Sequence, residues 1–448
     1  MSTDRDSDRD SKHRSNNEVT FSDAVIREAA SDFSLDSEQR NLSMSVSQYV
    51  SKLRSGDLGA WPALLAITVL CLIFGLSRSS TFVTITNVGN LLQQAAPIIV
   101  IAMAVSFVLL LGEIDLSAGF SAGVAAAVLA VRLQSSWNLG FSILAAAAVA
   151  LVLGLFTGLL VARVGIPSFV VTLANFLSFQ GILLELVKDG GNVRIENPAI
   201  SAIENKNLSV GLSWAFGIIV AVVFALSVLR KQRSSAGTIP LSLALVKIGL
   251  VTAGALTFTA ILSQNRALPA AKAIGIKLEG VPYAVPLVMI LVIVVTFVLN
   301  RTRYGRHLYA VGGNQEAARR AGINVARIRT SAFAICGLLA GVGGAFLASR
   351  LNSVDSNTGG SQTLLLAVGA AVIGGTSLFG GKGRMLNAVL GGLVLALIPN
   401  GLGLVGKAKV FGVWRVDFST SGVNFIVSGL VLLVAASVDA ISRKRTVS

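Results

Sequence analysis

Residues 301–349 read RTRYGRHLYAVGGNQEAARRAGINVARIRTSAFAICGLLAGVGGAFLAS, a polar, basic island that passes directly into an apolar run. From Arg301 to Arg329 there are seven arginines and one acid, Glu316. So many guanidinium groups cannot face hydrocarbon, whereas the run from Ser331 to Ser349 is long enough to cross it, so a membrane boundary falls inside this stretch. Within the island, Asn314-Gln315-Glu316-Ala317-Ala318-Arg319-Arg320 predicts a short surface helix with Asn314 as its cap and Gly322 placed to end it. Such a segment is either an ordinary cytoplasmic loop held by its charge or a surface that touches another protein.

The same alternation governs the rest of the chain. Its 448 residues are 53% hydrophobic and 13% charged, with 45 glycines and a mean hydropathy of +0.75, a value soluble globular domains do not reach. An all-α integral membrane protein is expected, a polytopic helical bundle. Apolar runs near 59–77, 91–111, 117–133, 138–162, 168–187, 210–229, 241–263, 282–299, 331–349, 362–379, 385–405 and 421–440 predict about twelve transmembrane helices. An even number puts both termini on one side. The island, Arg230-Lys231-Gln232-Arg233, Arg443-Lys444-Arg445 and the Lys382/Arg384 turn all fall on that side, which makes it the cytoplasm.

Residues 1–57 contain 11 of the 22 acids and 8 of the 37 Lys and Arg, with little apolar content, the composition of a disordered cytoplasmic tail. Val25 to Ala30 is its one stretch suited to a short surface helix. The tail is too long and polar to precede a cleaved signal, so the first span is expected to act as its own insertion signal. Residues 58–448, the transmembrane domain, hold 29 basic and 11 acidic residues, a net +18. These cations are spread through loops without interleaved aromatics, which argues against nucleic acid and for topology signals and contact with anionic membrane lipid.

Chemistry of its own is not expected of this chain. No Gly-x-x-x-x-Gly-Lys-Ser/Thr phosphate loop, Gly-x-Ser-x-Gly elbow, His-Glu-x-x-His pair or Cys-x-x-Cys pair occurs, and Cys71, Cys336, His13 and His307 are too dispersed for a metal cluster. No catalytic, metal or cofactor-binding residue is therefore assigned. Ionisable residues within or beside spans are Glu113, Asp115, Glu185, Lys247 and Asp439. Lys247 and Asp439 lie close enough to span ends to snorkel, and Glu185 reaches water. Glu113 and Asp115 fall in Gly112-Glu113-Ile114-Asp115-Leu116-Ser117, a break between two runs, where Asp115 either caps the next helix or guards a path. Asn90, Gln93 and Gln94 on the second run, and Asn175 and Gln180 on the fifth, suit either sugar hydroxyls or interhelical hydrogen bonds. Glycines crowd the last four runs, where they permit close helix packing, while Gly374-Gly375-Thr376-Ser377 and Gly380-Gly381-Lys382-Gly383 mark broken helix ends or turns.

Three motifs converge on a family. Gly305 to Asn324, Gly374-Gly375-Thr376-Ser377-Leu378-Phe379-Gly380-Gly381-Lys382-Gly383 and Pro399-Asn400-Gly401-Leu402 strongly resemble the permease subunits of bacterial ABC importers for monosaccharides, the ribose, galactose and xylose group. Gly112-Glu113-Ile114-Asp115-Leu116-Ser117 is similar to that family's Gly-Ile-Asp-Leu-Ser element, departing from it at Glu113. The likeness covers about residues 80 to 440. Shorter members have about ten spans, and the two further runs here, within an inserted region at 206–280, resemble the longer xylose-type permeases.

The resemblance implies a type II importer-like permease in the bacterial inner membrane, a homodimer that forms the path for a monosaccharide. An extracytoplasmic sugar-binding protein would deliver the sugar, and separate ABC ATPase subunits would bind ATP and Mg. It makes 301–329 the coupling loop, with Gly312, Gly313, Asn314, Glu316, Ala317, Ala318, Arg319 and Gly322 at the ATPase contact. Small alanines permit close docking there and the charges fix its register. Asn90, Gln93, Gln94, Glu113, Asp115, Asn175 and Gln180 are the candidates for the translocation path. The rivals are an ion-coupled secondary transporter, disfavoured by the scarcity of buried ionisable pairs, and an ABC permease for a branched-chain amino acid or nucleoside.

Overall fold

The computed structural model describes residues 61–188, 190–234, 241–267, 272–410 and 414–447. The tail 1–57, with its Val25–Ala30 segment, lies outside the described residues. The described residues fall into two compact units, 217–257 in the smaller and the others in the larger.

The larger unit opens with α1 (Trp61–Ser77), α2 (Ile85–Leu109), α3 (Ala118–Gln134), α4 (Leu139–Leu159, continued by a π-turn Leu160–Val164) and α5 (Ser168–Val187). A strand β1 (Asn192–Arg194) and a short helix α6 (Pro198–Asn205) follow. Helices α7 (Val210–Ser234) and α8 (Leu241–Ser263) supply the smaller unit, in which Ile218, Val222, Val223, Leu245, Val246 and Leu250 lie exposed, as suits a lipid-facing surface. The chain continues with α9 (Ala284–Arg301), α10 (Arg303–Gly313), α11 (Gln315–Arg320), α12 (Val325–Leu351), β2 (Ser353–Asp355), α13 (Ser361–Ile373), α14 (Met385–Val405), a hairpin of β3 (Lys407–Val410) and β4 (Trp414–Asp417), and α15 (Ser421–Val447).

Eight of the described helices are long and apolar enough to cross a membrane: α2, α4 with its π-turn, α5, α7, α8, α9, α12 and α14. Four shorter apolar helices, α1, α3, α13 and the first part of α15, coincide with the remaining predicted runs. The bounds differ where polar chemistry decides them. The run predicted at 91–111 begins as a helix at Ile85, because the Thr84 hydroxyl accepts the Asn87 N–H and caps it. The run predicted at 362–379 ends at Ile373, because Gly375 at φ +103° turns the chain.

At the centre stands α2, buried at every residue from Ala95 through its C-cap Leu110. It packs against α9, α12, α13 and α14. Its small residues Ala95, Ala96, Ala102 and Ala104, all buried, let these neighbours approach closely. Around it, glycine sets the spacing. Gly154 and Gly158 of α4 lie on the backbone of α12, where a Cβ on Gly154 would come within 3.0 Å of the Gly337 Cα and one on Gly158 within 2.9 Å of the Thr330 Cα. The opposite face of α4, with Leu144, Leu151, Val152 and Phe156, is exposed. Backbone approach of this kind supplies the dispersion that holds helices together when lipid is as apolar as the partner.

Loops of the larger unit gather at two ends. At one, β1 pairs antiparallel with β2, the Ile195 N–H donates to the Asn352 carbonyl (2.9 Å), and the Leu208 N–H donates to the Val281 carbonyl (2.8 Å). At the other lie 110–117, 301–329 and 374–384, tied by the contacts described next.

Candidate functional site

The arginine-rich loop folds as two helices where the sequence predicts one. The additional helix, α10, starts where the Thr302 hydroxyl accepts the Gly305 N–H (3.2 Å). Leu308 and Val311 point inward on one face, while Arg303, Arg306 and His307 are exposed on the other. Tyr309 donates to the Gly383 carbonyl (2.8 Å), anchoring α10 to the 374–384 loop. Burial pushes the Tyr309 phenol above its usual range and that of Tyr304 up to about 12, so both remain neutral.

The predicted short helix is α11. Asn314 accepts the Ala317 N–H at 2.9 Å, and Gly322 at φ +82° lies just beyond its end, as read from the sequence. Ala318 is the buried alanine of the pair, and Ala317 is exposed alongside Gln315, Glu316, Arg319 and Arg320. Glu316 lies 3.6 Å from Arg319 and 3.4 Å from Arg320, all three well exposed, so these pairs are worth at most about 0.5 kcal/mol each. They add little to the fold and leave the face free to exchange ionic partners. Behind α11 lies a cleft of about 340 Å³ lined by Ala162, Gln315, Arg319, Asn324 and Arg329 among others.

Glycines seat the loop. The Gly381 N–H donates to the Leu110 carbonyl at 2.8 Å, beyond the end of α2. A Cβ on Gly312 would lie 2.9 Å from the Gly381 nitrogen, and Gly112, Gly380 and Gly381 hold φ of +75°, +83° and +72°. Three distant segments thus meet backbone to backbone, a junction that the sequence registers only as separate turns. Gly313, at the end of α10, has open space where its Cβ would be.

The acidic break is divided between two roles. Glu113 forms an ion pair with Arg329 of α12, both largely shielded from water, which ties it to the basic loop. Asp115 is buried and accepts from the Ser117 N–H (2.8 Å) and hydroxyl (2.6 Å) in a turn just before α3, whose N-cap is Ser117 rather than Asp115, with Cys336 Sγ 3.6 Å away. The amide candidates do not form one cluster. Asn90 is exposed and Gln94 half-buried on α2, while Gln93 donates to the Glu204 carbonyl of α6 (2.6 Å). Asn175 is buried and donates to Thr157 of α4 (2.8 Å), an interhelical bond, and Gln180 is half-buried one turn further on.

Several polar groups escaped the sequence reading. Asn87 and Asn400 exchange amide hydrogen bonds of 3.0 and 2.9 Å between α2 and α14, although Pro399-Asn400-Gly401 was visible as a motif. Arg266 is buried and donates to the Gly280 carbonyl (2.6 Å), while its own carbonyl accepts from Thr86 (2.8 Å). Glu204 is 1% exposed with neither carboxyl oxygen hydrogen-bonded. Burial pushes it up to about 9, against the pull of Arg350. No spacing in the sequence distinguishes Glu204 from the other acids of its loop. Among the described residues no group of His, Cys, Asp and Glu could hold a metal ion.

Residues 87–436 match the family described as branched-chain amino acid transport system / permease component, and the chain belongs to it. It is 33% identical over 410 residues to the xylose transport system permease protein XylH of Escherichia coli (strain K12), covering 90% of this chain and 98% of that one. It is 31% identical over 399 residues to XylH of Haemophilus influenzae, covering 88% and 99%. It is 30% identical over 377 residues to the ribose import permease protein RbsC of Escherichia coli (strain K12), covering 84% and 92%. No solved structure matches it. The motif-based resemblance to monosaccharide permeases is borne out, and the chain is a multi-pass helical membrane protein.

Proposed function

We propose that this chain is the membrane-spanning permease subunit of an ATP-driven importer, forming the path for a monosaccharide, with a xylose-type pentose favoured. The observation that carries this reading is likeness over nine-tenths of the chain to a xylose permease, with a ribose permease also among the relatives. In this reading all twelve apolar helices cross the inner membrane and both termini are cytoplasmic. The collection of 110–117, 301–329 and 374–384 at one end supports that layout, since each lies on the cytoplasmic side of a twelve-span count. The opposite end, with α6, β1 and β2, then faces the sugar-binding protein.

The loop 301–329 serves as the coupling loop, and its exposed face of Gln315, Glu316, Ala317, Arg319 and Arg320 enters the ATPase subunit. Gly312, Gly313, Asn314, Ala318 and Gly322 shape and seat that face. ATP and Mg bind on the ATPase subunits, and two copies of this chain enclose the path. Asn90, Gln94 and Gln180 are the retained candidates for sugar hydroxyls, because Glu113, Asp115, Gln93 and Asn175 already have partners within the fold.

The test is co-purification of ATPase subunits through a tag on this chain, with wild type compared with Glu316→Arg. Wild type is expected to retain the ATPase and show sugar-stimulated hydrolysis, and Glu316→Arg to lose one or both. Uptake of sugar by the chain alone, driven by an ion gradient, would overturn the reading.

A further inference from the structure

The glycine junction and the buried helix above it form one mechanical path. Leu110 accepts from Gly381, a Cβ on Gly381 would lie 2.9 Å from the Gly313 Cα, and one on Gly380 would lie 2.6 Å from the Gly312 carbonyl oxygen and 2.8 Å from the Gly112 nitrogen. No side chain intervenes, so no rotamer change can absorb a displacement of α10 before it reaches the end of α2. Two further ties act in parallel, Tyr309 to the Gly383 carbonyl (2.8 Å) and Arg329 to Glu113. From this grip α2 runs wholly buried from Leu110 back to Ala95, and close-packed interiors move as bodies rather than compress.

Beyond Ala95 the outer part of α2 is tied to α14 by Asn87 and Asn400, to the Arg266 carbonyl by Thr86, and to α6 by Gln93. Gln93 donates to the Glu204 carbonyl (2.6 Å), and α6, which carries Glu204, is pinned to the end of α12 by Asn205 Nδ2 donating to the Ser349 carbonyl (2.5 Å) and by Ser201 donating to Asn352 (2.6 Å). Pro97 lies one turn inside Gln93 and has no N–H for the Gln93 carbonyl, so the outer part of α2, from Ile85 to Ala96, can tilt against the rest.

We infer that α2 is the rod by which movement of α10 and α11 reaches the opposite face, with Leu110, Gly312 and Gly381 as the inner grip and Gln93 on α6 as the outer latch. Gly312, Gly381 and Gln93 are positioning residues: they touch neither nucleotide nor sugar. The inference rests on the proposed docking of an ATPase at α11.

The test uses the full complex with its ATPase subunits and sugar-binding protein in vesicles, measuring xylose uptake and ATP hydrolysis on the same preparation. Gly381→Ala and Gln93→Leu are each expected to lower xylose moved per ATP hydrolysed by about ten-fold, within the range of ordinary coupling energies, while the ATPase co-purifies as in wild type. Gln93→Leu lies outside Pro97 on α2, remote from the junction, and reports even where Gly381→Ala fails to assemble. An unchanged ratio in an assembled Gln93→Leu complex overturns the rod. Failure of the wild-type chain to retain an ATPase overturns instead the docking on which the rod depends.

Discussion

Glu204 carries a carboxyl that the fold holds dry, without a hydrogen-bond partner for either oxygen and with its proton retained up to about pH 9. An acid whose folded pKa is raised binds its proton more tightly folded than unfolded. The native state therefore loses stability as pH rises from the ordinary glutamate range, near 4.5, toward 9. Glu204→Gln keeps the shape and removes the titration. Its melting temperature is expected to exceed that of wild type by a margin that grows between pH 5 and pH 8, with a stability difference on the order of 2 kcal/mol at the upper end. Parallel melting curves of the two proteins across that range would refute the assignment of a buried neutral acid. The Asn87–Asn400 pair is the complementary case, with donors and acceptors matched. Cutting it to one member leaves an amide unsatisfied at a cost of about 1–3 kcal/mol.

Among the elements, the α4–α12 contact shows what glycine supplies here. A Cβ at Gly154 or Gly158 meets backbone, which cannot rotate aside, whereas a Cβ at Gly181 of α5 meets nothing within 4 Å. Gly158→Ala is expected to destabilise the protein by about 1–3 kcal/mol, and Gly181→Ala to leave it unchanged or raise its stability by up to about 1 kcal/mol. Thermal melts in detergent separate the two, and equal melting temperatures would show that the helices are not in contact at α4. The sequence exposed this level unevenly. The long apolar runs announced their helices, and Asn314 with Gly322 bounded α11. The helix α10 was hidden because its inward residues, Leu308 and Val311, sit among arginines that draw the reading toward a loop. The pairing of β1 with β2 was illegible for a different reason: each is a three-residue strand whose partner lies far along the chain.

At the largest scale, the loops of the larger unit are sorted to two ends, and the proposed cytoplasmic and external assignments draw on that sorting. In a background of Cys71→Ser and Cys336→Ala, a cysteine placed at Asn197 is expected to react with a membrane-impermeant maleimide in intact cells, and one at His307 only after permeabilisation. Both residues are exposed or half-exposed, so access rather than burial governs the result. Labelling of both from the same side would refute the twelve-span layout. At this scale the sequence was informative about membership, because the motifs that carry it are local. It was silent on the junction of Gly112, Gly312 and Gly381, because three glycines report conformational freedom but not which distant backbone will occupy it.

The enclosed centre bears on how the protein is made. Helix α2 leaves the ribosome early, while α12, α13 and α14, which cover it, are synthesised near the end. Until they arrive its only neighbour on those faces is lipid. From Ala95 to Leu110 the surface is apolar except for Ser106, whose hydroxyl donates to the Ala102 carbonyl of its own helix (2.7 Å), so the helix can wait in the bilayer and be enveloped later. A polar residue at Ile101 or Val105 would be tolerable in the finished bundle if it found a partner on α12 or α14, yet would stand unsatisfied throughout that wait. The demands on this helix are thus set by the order of synthesis as well as by the finished packing.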